Sequence, residues 1–499
     1  MLVVRFWDYV CRLYDQSLLS RIVSGLWRFW KRGLIYSLLT HNSRLDPLWR
    51  ESFLYCLLHR ILDIVPSLLS RIGGPIKSAA ETSVFCSFFR RIVKNTAFLL
   101  GAALFVLLTV PQQMWNNLYS LAMAFICLIF YWIYSSSHRS DKLSLDPIGI
   151  WPVLFAVVSC LSFIWSQDMA LSLRHLLFNI TCIVFVITLV SAVDSKKKLF
   201  RLVCFLAAGL IVCCAYAVMQ RAAGIAPSSS FTDLDANAGM PGRVFSFFEN
   251  PNAFANILVF FTPTMVAMIF YSERPWQRVG FALASALCAL ALVMTYSRGG
   301  WLSLALSIFI LMLLLCPRWV PLLMIVAAAM IPFLPSTILA RLLSIFLPDS
   351  SIGSRSYIYS AMVRLIKKNW FYGVGLGTTT LKRGIYYYGV FTSPKFPFVH
   401  AHNILLEIWG ESGILAVISF VLSIFFTMRK GCTSLKKTSS SPLRGILAGS
   451  TAGLFGAMFF GLTDYAWSYP RVLVLFWFLF GIICAASRLA QEKDGLING

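Results

Sequence analysis

From residue 95 onward the chain alternates long apolar runs with short polar breaks. A bilayer's hydrocarbon core is about 30 Å thick, so a spanning helix takes about 20 apolar residues, somewhat fewer or more with tilt. By that measure twelve spans are predicted, near 95–112, 116–134, 148–165, 176–193, 199–219, 253–271, 277–295, 300–316, 319–335, 403–428, 445–463 and 470–487. Pro111 cuts the first short, and only "CPRW" separates the eighth from the ninth. The fold expected is an all-α polytopic membrane protein of about 12 transmembrane helices. Two stretches break the pattern: residues 1–94, where basic residues interleave with Leu, Phe, Trp and Tyr, and residues 336–402, a long polar segment between the ninth and tenth spans.

Lys and Arg in the short loops set the orientation. With the N-terminus in the cytoplasm, the short inside segments hold sixteen basic residues and the short outside loops, including 220–252, hold five. "DSKKK" at 194–198 and "RKGCTSLKKTSSSPLR" at 429–444 are the clearest inside markers. The chain then divides into a basic N-terminal region (1–94), a membrane domain (95–490) containing an extracytoplasmic loop (336–402), and a cytoplasmic tail (491–499). Residues 1–94 carry fourteen basic and six acidic residues. They read as amphipathic helices on an anionic leaflet, or equally as a small helical or regulatory extension. The large loop contains "SRSYIYSAMVRLIKKNW", which has helical spacing. A loop of that length with its own helix is more often functional than a spacer.

Composition agrees with this reading. The 499 residues are 58% hydrophobic and 13% charged, about half the charged fraction of soluble domains. A net charge of +23 would suggest nucleic acid in a soluble protein; here the basic residues face a membrane, and no nucleic-acid partner is expected. The thirteen cysteines form no C-x-x-C pair, so neither a disulfide framework nor a zinc site is indicated. No cleavable signal is evident in residues 1–95.

Against this background a few charged residues on the outer side stand out. "FPFVHAHNILLEIWGESG" at 396–413 places His400, His402 and Asn403 at the outer end of the tenth span. Arg243 lies in "GRVFSFFENPNAFANIL", with Glu249 six residues on. Arg298 lies in "TYSRGGWLSL" and Arg355 in "GSRSYIY". Asp464, in "GLTDYAWSYP", lies between the last two spans with Arg471. Each has an ordinary reading: an arginine can snorkel to the interface, His400 can point at water, and His402–Asn403 can serve as a helix cap. "GVGLGT" at 373–378 resembles a phosphate-cradling loop, though glycine alternation equally makes a tight turn. Taken together, three permanent cations, a titratable base and a carboxylate reach one face, and charge at membrane depth usually marks a site. Arginine's planar fork binds phosphate oxygens bidentately. No outward aspartate pair suited to Mg²⁺ accompanies them, so no metal and no other cofactor is expected. The substrate indicated is a diphosphate at the outer leaflet, where the common diphosphate heads a sugar-carrying polyprenyl lipid.

At these residues the sequence resembles the bacterial O-antigen ligases and the related O-antigen polymerases. The matching pieces run in order: "GRVFSFFENPNAFA", "YSRGGWLSL", "GSRSYIYSAMVRLIKKNWFYGVGLGT" and "HAHNILLEIWGESGIL". The resemblance implies a GT-C-type glycosyltransferase in the cytoplasmic membrane. Such an enzyme moves a glycan from undecaprenyl diphosphate to a lipid or glycan acceptor on the outer face, without metal. It implies Arg243, Arg298 and Arg355 as diphosphate binders and His402 as the essential histidine; His400 matches less well. The sequence departs in two places: Trp370 stands where the family often has Pro, and the N-terminal extension is unusual for the ligases. A neutral His402 would accept the acceptor's proton, and Asp464 or Glu249 would orient the base or the sugar. A polymerase joining lipid-linked repeats and an enzyme glycosylating protein hydroxyls remain open. A transporter or flippase is a different class; it is disfavoured because no internal repeat is visible and the polar residues gather at one face rather than the midplane.

Overall fold

Apolar runs of this length have no water to satisfy their backbone, so each must close its hydrogen bonds within itself, and the helix does so. The computed structural model describes residues 45–81, 95–137, 143–225, 242–333, 336–343, 350–391 and 398–495, with residues 16–17, 20–21 and 25 before them. Among the described residues there are seventeen α-helices and no strand. In chain order they are α1 (Leu45–Glu51), α2 (Phe53–Glu81), α3 (Thr96–Thr109), α4 (Asn117–Ser137), α5 (Ile150–Leu161), α6 (Met169–Ala192), α7 (Lys196–Ala222), α8 (Pro251–Tyr271) and α9 (Pro275–Met294). They continue with α10 (Arg298–Leu315), α11 (Val320–Met330), α12 (Ser336–Leu343), α13 (Ser350–Asn369), α14 (Thr378–Tyr387), α15 (Ile404–Lys437), α16 (Ser441–Gly461) and α17 (Pro470–Gly495).

Nine of these helices are long and apolar enough to cross a membrane: α4, α6 to α10 and α15 to α17. The chain is a multi-pass, all-helical membrane protein. Nine of the twelve predicted spans meet this measure, and the other three fold as shorter apolar helices. One is α3, whose fourteen residues reach only about 21 Å at 1.5 Å per residue; Val110 then turns extended ahead of Pro111. The second is α5, which starts after Gly149 (φ +86°) and has twelve residues. The third runs over Pro317–Phe333, where a 3₁₀ turn precedes α11 and another follows it. Residues 336–402 were expected to hold one helix and hold three, α12, α13 and α14. In the N-terminal region α2 packs on α4. Arg50 Nε approaches Asp146 at 3.4 Å, and the Tyr55 hydroxyl donates to the same carboxylate at 2.7 Å. The exposed Phe53, Leu57, Ile61, Ile64 and Leu68 recur every three or four residues, an apolar stripe along one helix face. The rest of region 1–94 and the tail end at 496–499 lie outside the described residues.

Two packing devices position the site. The first is the glycine face of α16. With no hydrophobic drive between helices in lipid, close backbone approach holds them, and small residues permit it. A Cβ on Gly449 would lie 2.4 Å from Thr264 Cα, and one on Gly453 would lie 2.1 Å from the Phe260 carbonyl oxygen. Thus α16 docks on α8 while its other side meets α10. The second is a break in α15 at Gly413 (φ +78°, ψ −177°). The opened turn receives the segment after α13: Val374 N–H donates to Gly410 O (2.8 Å), Gly375 N–H to Glu411 O (3.0 Å) and Ile414 N–H to Trp370 O (3.0 Å). A Cβ on Gly373 would lie 2.4 Å from the Glu411 carbonyl oxygen. The alternating glycines of "GVGLGT" therefore permit close approach: Gly373 to the α15 backbone, Gly375 to Ser166 and Gly377 to the His175 ring. Arg471, at the head of the deeply buried α17, is itself buried and donates to Val110 O, Phe247 O and Gln112 Oε1. It ties three loops at the same end of the bundle.

Candidate functional site

His402 sits in the turn just before α15. Its backbone is left-handed (φ +49°), a conformation that non-glycine residues adopt only when their surroundings enforce it. Several bonds do so. The Tyr359 hydroxyl donates to the His402 carbonyl at 3.0 Å, and His402 N–H donates to His400 Nδ1 at 3.2 Å. On the chain before it, Ala401 N–H donates to Glu407 Oε2 at 2.5 Å. On the chain after it, Asn403 caps α15 by accepting from Leu405 N–H (2.9 Å) and Leu406 N–H (3.1 Å). The helix cap considered for the His–Asn pair is thus Asn403 alone, and the imidazole is left for other work.

That ring meets Asp464, which follows α16. His402 Nδ1 and Asp464 Oδ1 are 3.0 Å apart, and Tyr465 N–H donates to the same oxygen at 2.9 Å. An ionised carboxylate only accepts, so Nδ1 carries the proton of this bond and Nε2 is turned away from Asp464. His400 lies beside them, its ring centroid 4.0 Å from that of His402 and its Nε2 3.9 Å from Asp464 Oδ1. Burial by itself would raise the pKa of Asp464, but the His402 hydrogen bond, the two imidazoles and the Arg355 guanidinium outweigh it, holding the carboxyl well below its usual range. Burial, with His402 alongside, lowers the pKa of His400 to about 4. His400 is therefore a neutral imidazole at ordinary pH.

Arginines surround this pair. Arg243 Nε donates to Thr295 O and its Nη2 to Asn252 Oδ1, both at 2.7 Å. It thereby clamps the start of α8 to the α9–α10 turn, where Ser297 Oγ caps α10 by accepting from Gly300 N–H. Burial first, and then the charge of Arg341, lower the Arg243 pKa to about 10; Asp464 and Arg298 also act on it. Arg355, on α13, acts on Asp464, His400 and Tyr359. Four guanidinium groups, two imidazoles and one carboxylate thus share one electrostatic neighbourhood at one end of the bundle. The four non-glycine residues with positive φ among the described residues are Ser246, Glu249, Tyr296 and His402, all in turns bordering it.

Residues 283–421 match the family model described as O-antigen ligase. The stretch that matches this domain runs from within α9 into α15. No curated protein sequence matches the chain. The domain supports function of the O-antigen ligase or polymerase type in polysaccharide biosynthesis, performed by a glycosyltransferase-like membrane enzyme. The matched span holds Arg298, Arg341, Arg355, His400, His402 and Asn403; Arg243 and Asp464 come from outside it.

Of the candidates singled out in the sequence, Glu249 is not brought to the histidine. It is exposed, in a left-handed turn (φ +57°), and its charge bears on Tyr469. Arg341 was missed. In the expected orientation it shares its side of the membrane with the other three arginines, but also with Arg364, Lys367, Lys368, Lys382, Arg383 and Lys395, so charge alone did not mark it. Beside the O-antigen ligase residues a metal reading also exists, because donor atoms of His400, His402 and Asp464 all lie within 4.8 Å of one another. Charge opposes it: a divalent cation there would sit among four guanidinium groups and would break the His402–Asp464 bond.

Proposed function

We propose that this protein transfers a glycan from a polyprenyl diphosphate to an acceptor hydroxyl at the outer face of a bacterial cytoplasmic membrane, acting as an O-antigen ligase. The observation that carries the reading is the His402–Asp464 pair in the field of Arg355 and Arg243, on the second of which Arg298 and Arg341 also act. The acceptor oxygen attacks the anomeric carbon of the donor's first sugar. His402 Nε2 takes the hydroxyl proton as the new C–O bond forms. The bond from the anomeric carbon to the phosphate oxygen breaks, and the diphosphate leaves on its lipid with its charge held by the preorganised guanidinium groups. Direct displacement inverts the anomeric centre. The assay is incubation of the purified protein with a lipid-diphosphate oligosaccharide and candidate acceptors: one discrete adduct marks a ligase, chain lengthening a polymerase, and no product on any acceptor overturns the reading.

Arg298→Lys keeps the charge and loses the fork. Transfer by this variant is expected to fall about 10²-fold, the scale of one lost transition-state donor; wild-type kinetics would mean that Arg298 merely snorkels. Arginine chemistry also predicts that EDTA leaves the transfer rate unchanged. Loss of activity in EDTA, restored by Mg²⁺ or Zn²⁺, would assign the His400, His402 and Asp464 donors to a cation instead.

A further inference from the structure

A polar cavity of about 390 Å³ opens beside α13 and is lined by Ser356, Tyr357, Ser360, Arg364, Gly389 and Val390. That volume falls in the range of about 300–1,000 Å³ typical of small-molecule sites. Ser356, Ser360 and Arg364 stand four residues apart, so they form one stripe on the helix. The same helix carries Arg355 and Tyr359, which face the reaction centre. At 1.5 Å per residue, Ser360 lies about 7.5 Å and Arg364 about 13 Å along the axis from Arg355.

The lining suits a sugar ring. The Ser356 hydroxyl, the acceptor side of Ser360 Oγ (which donates to Ser356 O at 2.9 Å) and the remaining N–H groups of Arg364 can bond ring hydroxyls. Arg364 is held rigid because its Nε and Nη2 both donate to Val390 O, at 3.2 and 2.8 Å. Tyr357 is 51% exposed, a flat aromatic face open to the C–H side of a pyranose. Among the described residues no acidic group lines the cavity and no long aliphatic side chain fills it, which fits neither a metal nor a lipid tail. We propose that this cavity is a glycan subsite, holding a sugar residue one or more units removed from the bond being made. The assignment rests on the transfer reading above and deepens it. The ring comes either from the donor chain beyond its first sugar or from the acceptor.

Tyr357→Ala and Tyr357→Phe test it, together with saturation-transfer NMR on the purified chain and a delipidated O-antigen oligosaccharide. The expected result is saturation passing from protein to sugar protons in wild type and in Tyr357→Phe, and falling to background in Tyr357→Ala. Kinetics then separate the sources. A KM raised tenfold or more for undecaprenyl diphosphate bearing a full chain, with a one-sugar donor unaffected, marks a donor subsite. A raised acceptor KM with both donors unaffected marks an acceptor subsite. A saturation-transfer signal that is absent in wild type, or undiminished in Tyr357→Ala, overturns the proposal. The binding result stands apart from catalysis, so wild-type protein that binds sugar here but transfers none would sink the transfer reading and leave the subsite.

Discussion

His402→Ala abolishes transfer, with kcat falling by about 10²–10⁴, the usual worth of a positioned general base. The protein still inserts in the membrane and keeps close to its normal thermal midpoint. Two features separate these effects. The imidazole is about a quarter exposed and its side-chain hydrogen bond goes to Asp464, so its removal opens no core cavity. Asp464 keeps the Tyr465 N–H, and the turn keeps the Tyr359 bond to the His402 carbonyl and the Asn403 cap, all made by other atoms. His402→Gln refines the test, because an amide can still donate to Asp464 but takes up no proton at neutral pH. It too is expected to be inactive. Substantial turnover by either variant would remove the base from this position.

Asp464→Asn lowers kcat by a similar factor and leaves KM for the lipid-linked donor little changed. The carboxylate fixes the proton on His402 Nδ1; an amide can present its NH₂ to that nitrogen and drive the proton to Nε2, where the base is needed. In the serine-protease triad the same exchange costs about 10⁴. Removing a negative charge from among four arginines does not weaken their hold on a diphosphate, which is why the loss falls on kcat. A rise in KM with kcat intact would make Asp464 a binding group. Its folded-state pKa is depressed, so its stabilising contribution is present above its ordinary titration near pH 4 and disappears as the pH falls through the lower, folded value. The carboxylate is therefore charged throughout the neutral range, and no limb of the neutral pH–rate profile comes from it.

Hydropathy made much of the fold legible, because a membrane leaves the backbone one economical solution and the sequence marks depth directly. Depth is not azimuth. The apolar pattern of α16 says that it spans, but only packing shows that its glycine face brings Asp464 to a histidine 62 residues earlier. For that reason Asp464 and Glu249 were indistinguishable in the sequence as partners for His402. The arginines stood out because outside guanidinium groups violate a strong compositional rule, while Arg341 lay among the other basic residues of the large loop, where charge alone did not mark it. "GVGLGT" misled in the other direction: Gly373 faces the opened turn of α15, while Gly375 and Gly377 face Ser166 and His175, requirements set by segments distant in the chain. Arg471 had the look of a functional charge, yet it donates to two carbonyls and a glutamine, as a brace does.

The central claim is that one cavity holds a lipid diphosphate with arginines while His402 activates an acceptor. The most direct measurement is a single turnover in sealed proteoliposomes with donor labelled in both sugar and lipid, in EDTA, with an acceptor present on the donor's side. The account predicts that sugar label appears on the acceptor, at inverted configuration, as bare polyprenyl diphosphate accumulates in equal amount. Sugar and lipid labels that stay joined while the donor crosses to the other leaflet would contradict it and make the protein a carrier.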